Sequence, residues 1–176
     1  MRLFVFRKKC TGCRLCELVC SLRHEGVCNP SKSRIKVERR TVALAIPAVC
    51  LQCEGKFCIK ACPQNALSTD ENGAIKVDEK LCTACGLCQY ACPFDAIRMH
   101  PSKHVAMICD LCGGDPQCVK WCSNGALKYA SLSELKETGS YEQNFSELYD
   151  KDFGPPHIPF QGAKQTFEKA YPYKQK

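Results

Sequence analysis

Four cysteines near the middle of the chain have the spacing of iron–sulfur ligands. They form a C-x2-C-x2-C-x3-C run and are Cys82, Cys85, Cys88 and Cys92. Three thiolates two residues apart can wind the backbone around one [4Fe–4S] cubane, and Gly86 is expected to relieve the crowding in that loop. The fourth cysteine follows one helical turn after the third, so its sulfur is expected to point toward a neighbouring cluster. The run therefore predicts a second cluster.

Three more motifs of the same kind make the pattern a four-fold internal repeat. The first repeats the spacing unchanged, at Cys10, Cys13, Cys16 and Cys20. The other two have longer central spacers, and their cysteines are Cys50, Cys53, Cys58 and Cys62, then Cys109, Cys112, Cys118 and Cys122. Sixteen of the 17 cysteines fall in these motifs, and all four motifs end in C-x3-C. The remaining cysteine, Cys28, is predicted to be a partly buried free thiol.

The length of 176 residues suits one compact domain with an extension. So many cysteines in a secreted chain would suggest disulfides, but cysteines two residues apart serve a metal better than each other. Cluster ligands must be reduced thiolates, which predicts a cytoplasmic location. The stretch Met1–Cys16 runs directly into the first motif and does not resemble a signal peptide. The apolar run that follows Arg39-Arg40 is too short to span a bilayer and is expected to be a buried strand.

The formal net charge of +7 raises the possibility of nucleic-acid binding. Each oxidised cubane with its four thiolates carries a charge of about −2. Four clusters would therefore offset the whole excess of lysine and arginine. No nucleic-acid partner is expected, although a local basic patch could still face an acidic partner.

Short apolar and alternating segments predict the strands and helix of an outer module. Strands are expected at Arg2–Arg7, Arg34–Arg40 and Val42–Val49, with the last two paired. A helix is expected from about Leu15 to Leu22, and a last core strand at Ala126–Ala130. Because Ser21 and Ser123 replace the proline that follows the other two motifs, the outer helices are expected to run longer.

The segment Ala48–His100 has the pattern of a complete small ferredoxin. It contains two motifs, a turn at Asp70–Gly73, a strand at Ala74–Val77 and a closing strand at Ala96–Met99. Pro63 and Pro93 each follow a fourth cysteine and are expected to end a helix there. In the outer module, Trp121 precedes the final cysteine and is expected to pack against a cluster.

This nested arrangement resembles the four-cluster iron–sulfur subunits of molybdenum and tungsten oxidoreductases. The resemblance covers about Met1–Ala130 and implies an α+β, nested double bacterial-ferredoxin fold, in which residues 48–100 are a ferredoxin inserted in a ferredoxin. It also implies a crossed ligand pattern. One cluster would take Cys10, Cys13, Cys16 and Cys122 (set 1), and a second Cys20, Cys109, Cys112 and Cys118 (set 2). A third would take Cys50, Cys53, Cys58 and Cys92 (set 3), and the fourth Cys62, Cys82, Cys85 and Cys88 (set 4).

Such subunits accompany dimethyl-sulfoxide reductases, formate dehydrogenases, hydrogenases and aldehyde oxidoreductases. The opening C-T-G-C-R-L-C-E-L-V-C-S-L-R-H-E-G looks most like the small subunits of tungsten aldehyde oxidoreductases and their benzoyl-CoA reductase relatives. The resemblance implies a catalytic partner with a tungsten- or molybdenum-pterin cofactor and a second redox partner, such as a flavin/NAD subunit or a soluble ferredoxin. Unlike the longest members, the chain lacks a large insertion and a membrane-anchoring helix, so no direct membrane span is expected.

Beyond Ala130 the composition changes, because the cysteines stop and aromatic residues accumulate. Leu132–Thr138 and Tyr141–Tyr149 are predicted to be short helices. Residues 131–176 contain eight tyrosines and phenylalanines between Tyr141 and Tyr173, which is more than a typical disordered tail carries. We expect this extension to be an arm that docks a partner or another copy of the chain, with packing on its own core as the alternative.

The leading interpretation is an electron-transfer subunit without an active site of its own. The histidines, His24, His100, His104 and His157, form no catalytic or zinc-protease motif, and such lone histidines are expected to be structural or solvated. One alternative is a stand-alone polyferredoxin. Another is the iron–sulfur subunit of a formate dehydrogenase, hydrogenase or benzoyl-CoA reductase. A structural zinc module is a remote third, because zinc ribbons use two separate C-x2-C pairs.

Overall fold

Short antiparallel hairpins and strand pairs frame the cysteine motifs. The computed structural model describes residues 1–39 and 45–137, and within them eight strands form four two-stranded sheets. The pairs are β1 (Arg2–Val5) with β8 (Leu127–Ala130), β2 (Lys36–Arg39) with β3 (Ala45–Ala48), β4 (Leu67–Thr69) with β5 (Ile75–Val77), and β6 (Arg98–Met99) with β7 (Ala106–Met107). The chain is therefore a small mixed helix and strand structure.

Four helices follow the cysteine loops, and a fifth begins after the last strand. They are α1 (Leu15–Glu25), α2 (Phe57–Lys60), α3 (Leu87–Tyr90), α4 (Gln117–Lys120) and α5 (Leu132–Glu137). Helix α1 packs against α4, and α2 packs against α3. The first motif thus lies against the last, and the two middle motifs lie against each other. None of the helices in the described ranges has both the length and the apolar character needed to cross a membrane.

The predicted first and last core strands both form, and the structure pairs them with each other. In this pair Val5 is opposite Leu127, and Leu3 is opposite Tyr129. Leu3 and Val5 are each 1% exposed, and Leu127 is 2% exposed. Burial of these side chains holds the two ends of residues 1–130 together across more than a hundred residues of intervening chain.

Helix α1 continues past the fourth cysteine of its motif, as expected. Ser21 is fully buried; its hydroxyl donates to the carbonyl of Leu18 at 3.0 Å and accepts from the backbone N–H of Asn29 at 3.0 Å. The helix ends at Gly26, which has a φ of +68° and donates its N–H to the carbonyl of Leu22. This left-handed C-cap suits glycine.

The same expectation is wrong for α4, which has four residues like α2 and α3. After the fourth cysteine of three motifs the chain makes one common turn, closed by an N–H that donates to that cysteine's carbonyl. The donors are Asn65, Asp95 and Gly125, at 3.3, 3.3 and 3.0 Å, and each has a positive φ. The turn therefore depends on the third residue after the cysteine, so Ser123 does not prolong the helix.

The inner hairpin forms around the predicted turn. Asp70 accepts an N–H from Gly73 with its carbonyl at 3.0 Å, and its carboxylate accepts the N–H of Ala74 at 2.8 Å. The closing strand is shorter than the predicted Ala96–Met99, because only Arg98 and Met99 pair with β7. Ala96 is nevertheless buried in the main core, at 3% exposed.

A polar contact fastens the end of α1 to the turn after β6. His100 is 3% exposed, and its Nδ1 accepts the backbone N–H of Lys103 at 3.0 Å, so the other ring nitrogen carries the hydrogen. That Nε2 lies 3.3 Å from Oε2 of Glu25, which also pairs with Lys103 at 2.9 Å. The hydrogen bond from Lys103 lowers the pKa of Glu25, which is consistent with a carboxylate that stays charged.

Several predictions extend beyond the described residues. Helix α5 falls within the predicted Leu132–Thr138, whereas the predicted helix Tyr141–Tyr149 and the rest of the arm lie outside. Residues 40–44, at the inner ends of the two predicted strands Arg34–Arg40 and Val42–Val49, also lie outside.

Candidate metal centres

The motif cysteines range from buried to exposed. Cys50, Cys53, Cys58, Cys88, Cys109 and Cys118 are all at most 8% exposed, and Cys20 is 7% exposed. At the other extreme, Cys13 and Cys85 are exposed. Cys28, predicted to be partly buried, is exposed as well. It lies in the turn after α1, where no core residue covers it.

One residue in each motif takes the same left-handed conformation. It stands immediately before the second cysteine and is Gly12, Gln52, Ala84 or Leu111, with φ of +72°, +52°, +54° and +58°. Such values cost about 1–2 kcal/mol for a residue other than glycine. Burial raises the pKa of the first cysteine in three of the motifs, and a hydrogen bond from the backbone N–H of Gly12, Gln52 or Leu111 opposes that rise. The four-fold sequence repeat is therefore a structural repeat.

Two glycines in the loops serve different purposes. Gly86 has a φ of +79°, and a Cβ added there would meet no atom within 4 Å. No atom of the described residues crowds this position, so the positive φ accounts for the glycine, and relief of crowding around a bound cluster stays a prediction. At Gly12 an added Cβ would lie 2.9 Å from the Cβ of Ala45 and 2.8 Å from a guanidinium nitrogen of Arg39. The close approach of Ala45 and Arg39 to the loop therefore requires glycine at residue 12.

Set 1 draws its thiols from the first motif and the last. Burial raises the pKa of Cys16 to about 12, and the neighbouring charges of Glu17, Cys10, Cys13 and Cys122 contribute to the rise. All four cysteines of the set line one cavity, together with Trp121. Trp121 lines this cavity while being 56% exposed, and its packing against a bound cluster stays a prediction.

Set 4 draws its thiols from the two middle motifs. Burial raises the pKa of Cys88 to about 11, with smaller contributions from Cys82, Cys62 and Cys85. Those four cysteines line a second cavity. Cys62 comes from the preceding motif, so the structure brings together the crossed combination here too.

Sets 2 and 3 show the same crossing. Burial raises the pKa of Cys118, and Cys20 makes the largest contribution among the charges around it. Burial likewise raises the pKa of Cys58 to about 12, with contributions from Cys53 and Cys92. In both cases the fourth cysteine of one motif approaches the third cysteine of another.

Thiols of neighbouring sets also lie near enough to influence one another's pKa, and these proximities give the order of the sets along the molecule. Burial is the main cause of the raised pKa of Cys118, Cys50 and Cys58, and a thiol of an adjacent set adds to it in each case. Cys16 of set 1 adds to the pKa of Cys118 in set 2, and Cys109 of set 2 adds to that of Cys50 in set 3. Cys88 of set 4 adds to the pKa of Cys58 in set 3. The sets therefore follow one another in the order 1, 2, 3, 4.

The chemistry of these sites fits a thiolate-bound cluster. Buried thiols that raise one another's pKa cannot all ionise unless a strong positive charge lies between them, and a coordinated metal supplies that charge. Backbone N–H groups also point at three of the sulfurs, each at 3.4 Å: Arg34 at Cys20, Ala66 at Cys62 and Ala106 at Cys82. Such hydrogen bonds stabilise thiolates and are typical of iron–sulfur sites.

Three polar side chains near the sets have no sequence signal of their own. Glu17 is fully buried and accepts the N–H of Val37 at 2.6 Å and the Nε–H of Arg14 at 2.8 Å. Gln52 is 4% exposed. His24 lies 3.6 Å from the sulfur of Cys112, which agrees with the structural one of the two roles expected for the lone histidines.

The charges around His24 are paired. Asp110 accepts the Cys112 N–H at 3.0 Å and a guanidinium N–H of Arg34 at 2.6 Å. Burial opposes ionisation of Asp110, but Arg34 and His24 outweigh it, and the pKa of the carboxyl is lowered. Burial and the charge of Arg34 lower the pKa of His24.

Comparison with known proteins agrees with this chemistry. The model of the 4Fe-4S dicluster domain matches residues 41–132. The polyferredoxin-like subunit of an aliphatic sulfonate oxidoreductase from Pyrococcus furiosus is 50% identical over 115 residues, which cover 65% of this chain and 66% of that one. The electron transfer subunit of thiosulfate reductase from Salmonella typhi is 34% identical over 72% of this chain and 73% of its own length. A subunit of anaerobic dimethyl sulfoxide reductase from Escherichia coli is 30% identical over 88% of this chain and 85% of its own length.

Ferredoxin-like loops and clustered thiolates define an iron–sulfur protein of the electron-transfer class. The chain belongs to the 4Fe-4S dicluster domain family. The predicted [4Fe–4S] cofactor and the predicted electron-transfer role, without a catalytic site of the chain's own, are confirmed by this membership.

Proposed function

We propose that the chain holds four [4Fe–4S] clusters in a nested double ferredoxin fold and relays single electrons within an oxidoreductase complex. Sets 1 to 4 would be the ligands. The observation that carries this proposal is the crossing of the thiols: in each set, a fourth cysteine from one motif meets three cysteines from another. Residues 48–100 contain every cysteine of sets 3 and 4, which supports an inserted inner ferredoxin within residues 1–130.

The residues of the chain would position and insulate the clusters. A bound [4Fe–4S] cluster supplies one-electron chemistry. Left-handed residues such as Gln52 and Leu111 turn N–H groups toward the sulfurs. Sets 1 to 4 form a row, and the buried thiols of sets 2 and 3 exclude water from its middle. The row has exposed thiols at its two ends, Cys13 in set 1 and Cys85 in set 4.

Exposed apolar side chains lie beside both ends of the row. Trp121, 56% exposed, lines the set 1 cavity. Leu87 and Tyr90, which flank Cys88 of set 4, are 47% and 56% exposed. Large exposed apolar side chains near a redox site favour contact with a protein partner. Electrons would therefore enter at one end and leave at the other.

The catalytic partner would be a tungsten- or molybdenum-pterin oxidoreductase subunit, most similar to those of aldehyde oxidoreductases. The relative from Pyrococcus furiosus is a subunit of an aliphatic sulfonate oxidoreductase, and it supports a partner of this general kind. A flavin/NAD subunit or a soluble ferredoxin would be the second partner. Reduced thiolates require a reducing compartment, for which the cytoplasm is proposed.

Residues 131–176 would form an arm that docks a partner or the next copy of the chain. The eight aromatic residues between Tyr141 and Tyr173 support this, since they need an apolar surface to cover them. Truncation before Ser131 tests the proposal. The clusters should survive while the assembled mass in size-exclusion chromatography or mass photometry falls. Full assembly of the truncated chain would contradict the docking role.

Iron and acid-labile sulfide assays on anaerobically prepared protein test the cluster count. We expect about sixteen iron atoms per chain, with a matching amount of sulfide. Cys28→Ser is the matched control and should leave the count unchanged, because Cys28 belongs to no set. A stable value near half of this would mean that two sets are empty.

Two alternative functions can be distinguished from the proposed one by experiment. A structural zinc protein would contain zinc without sulfide and would lack the broad visible absorbance that bleaches on reduction. A stand-alone polyferredoxin would purify from its native source without a catalytic subunit. Isolation of the native complex, with identification of the co-purifying subunit and its metal, separates the stand-alone protein from the proposed subunit.

A further inference from the structure

The imidazole of His24 lies against a thiol of set 2. Its Nε2 is 3.6 Å from Sγ of Cys112 and 3.5 Å from Oδ1 of Asp110. The His24 side chain is only 9% exposed. His24 stands in the last turn of α1, four residues after Cys20, so the helix that contributes one thiol of set 2 also brings the ring to another.

The surroundings define which ring nitrogen carries a hydrogen. A cysteine thiolate and an aspartate carboxylate are both acceptors and have no hydrogen to donate. Nε2 faces both of them, so Nε2 must be protonated for either contact to be favourable. When Cys112 is a thiolate ligand of set 2, His24 is therefore placed to donate an N–H to its sulfur.

The carboxylate beside the ring is itself held in place. A guanidinium nitrogen of Arg34 pairs with Oδ2 of Asp110 at 2.6 Å, and Oδ1 accepts the backbone N–H of Cys112 at 3.0 Å. The backbone N–H of Arg34 also points at Sγ of Cys20 at 3.4 Å. His24 and the backbone N–H of Arg34 thus approach two different thiols of set 2. The ion pair between Arg34 and Asp110 links the residues that carry these two donors.

Set 2 differs in this respect from the other sets. Backbone N–H groups approach the sulfurs of Cys62 and Cys82 in set 4. Among the residues that the structure describes, His24 alone brings a ring nitrogen into hydrogen-bond contact with a motif cysteine. The buried His100 contacts Glu25 and the following turn instead.

We propose that His24 is a positioning residue whose N–H to Cys112 holds the reduction potential of the set 2 cluster higher than it would be without the ring. One-electron reduction adds one negative charge to a cluster whose thiolates are already negative. A hydrogen bond to a ligand sulfur stabilises this more negative state, which raises the potential. The inference rests on the proposed ligation of set 2. Because set 2 lies between sets 1 and 3, His24 would favour residence of an electron at the second position of the row.

Three variants of the full-length chain test this role by redox titration with electron paramagnetic resonance. His24→Phe removes the donor and keeps a ring of similar size, and His24→Gln restores an N–H near the same place. His104→Gln is the matched control, because His104 is exposed and outside every set. The signal of set 2 is assigned beforehand by its change in Cys20→Ser.

We expect a downward shift of the set 2 potential in His24→Phe that exceeds any shift in the other three sets. His24→Gln should recover most of the wild-type potential, and His104→Gln should leave all four unchanged. Unchanged potentials in His24→Phe would overturn the role of His24, while an intact iron count would still support the four-cluster proposal. A low iron count in the wild-type chain would instead contradict the four-cluster proposal itself.

A measurement on the unmodified sequence covers the case in which His24→Phe fails to fold. One potential ligand atom from each of His24, Asp110 and Cys112 lies within 4.8 Å of the other two, so direct metal coordination by the ring is the competing arrangement. Electron–nuclear double resonance on chain labelled with 15N-histidine separates the two. A weak nitrogen coupling at the reduced set 2 cluster is expected. A strong coupling would make His24 a ligand, and no coupling would remove the hydrogen bond; either overturns the inference.

Discussion

The side chain of Gln52 donates from Nε2 to the backbone carbonyl of Cys109 at 2.6 Å. Its Oε1 accepts the N–H of Ile75 from β5 at 3.1 Å. Gln52 belongs to the loop between Cys50 and Cys53, so one buried amide joins the loop of set 3 to the backbone of a set 2 cysteine. It is therefore a direct connection between the inner module and the outer one.

Replacement of Gln52 by leucine should destabilise this junction. The change leaves a buried carbonyl at Cys109 and a buried N–H at Ile75 without their partner, at a cost of about 1–3 kcal/mol each. We expect a lower apparent melting temperature and faster loss of iron under anaerobic conditions. Gln64→Leu is the matched control, since Gln64 is exposed. Equal stability of the two variants would contradict the importance of the junction.

The crossed ligation predicts an unequal effect of cysteine substitutions. Cys92→Ser should alter the spectroscopic signal of set 3 most, although Cys92 stands in the same motif as three cysteines of set 4. Cys62→Ser should have the opposite effect and alter set 4. Site-resolved electron paramagnetic resonance on the reduced proteins measures both. Loss of the local cluster alone in each variant would show that the sets are not crossed.

The four cysteine motifs could be recognised from the sequence because each motif is local in sequence. Spacing alone indicates a loop around a metal. Two short apolar segments indicate the strands β1 and β8, but only the fold shows that these strands pair. The turn after Cys122 could not be predicted because its determinant is a backbone conformation at Gly125, whereas the sequence draws attention to the serine in place of proline. The amino-acid composition does not show which glycines adopt a positive φ.

Buried polar residues could not be predicted for a different reason. Gln52 and Cys109 are 57 positions apart, and His24 and Cys112 are 88 positions apart. The contribution of such a side chain to stability depends on which residues the fold places beside it. Nothing in the local pattern around Gln52 or Glu17 distinguishes them from solvated residues on a loop or helix.

Glu17 should be required for a stable set 1 loop. Its carboxylate accepts N–H groups from Val37 and Arg14, and Arg14 adopts a left-handed conformation between Cys13 and Cys16. Glu17→Gln keeps a similar shape but places an N–H donor group where two donors already converge. A charge-assisted hydrogen bond is worth about 1.5–3 kcal/mol, so we expect a loss of that order and early release of iron from set 1.

The control for Glu17 is an exposed carboxylate with one partner. Glu54 pairs with Arg2 at 3.0 Å, and its side chain is 58% exposed. Exposed ion pairs contribute about 0–1 kcal/mol, so Glu54→Gln should leave stability and iron retention nearly unchanged. The two variants are compared by denaturant titration and by the rate of iron release to a chelator. A similar rate for both would mean that burial of Glu17 contributes little.

Equivalent loop positions in two motifs should respond differently to a methyl group. Gly12 and Ala84 both precede the second cysteine and both have a positive φ, but an added Cβ at Gly12 would lie 2.9 Å from the Cβ of Ala45. Overpacking of this kind costs about 1–3 kcal/mol, in addition to the strain of the left-handed conformation. Gly12→Ala should therefore weaken iron retention in set 1. The reciprocal Ala84→Gly removes strain but adds freedom to the unfolded chain, so its stability should change by less than about 1 kcal/mol. Thermal unfolding and the spectral signal of each set measure both effects, and equal tolerance of alanine at residue 12 would show that β3 can move away from the loop.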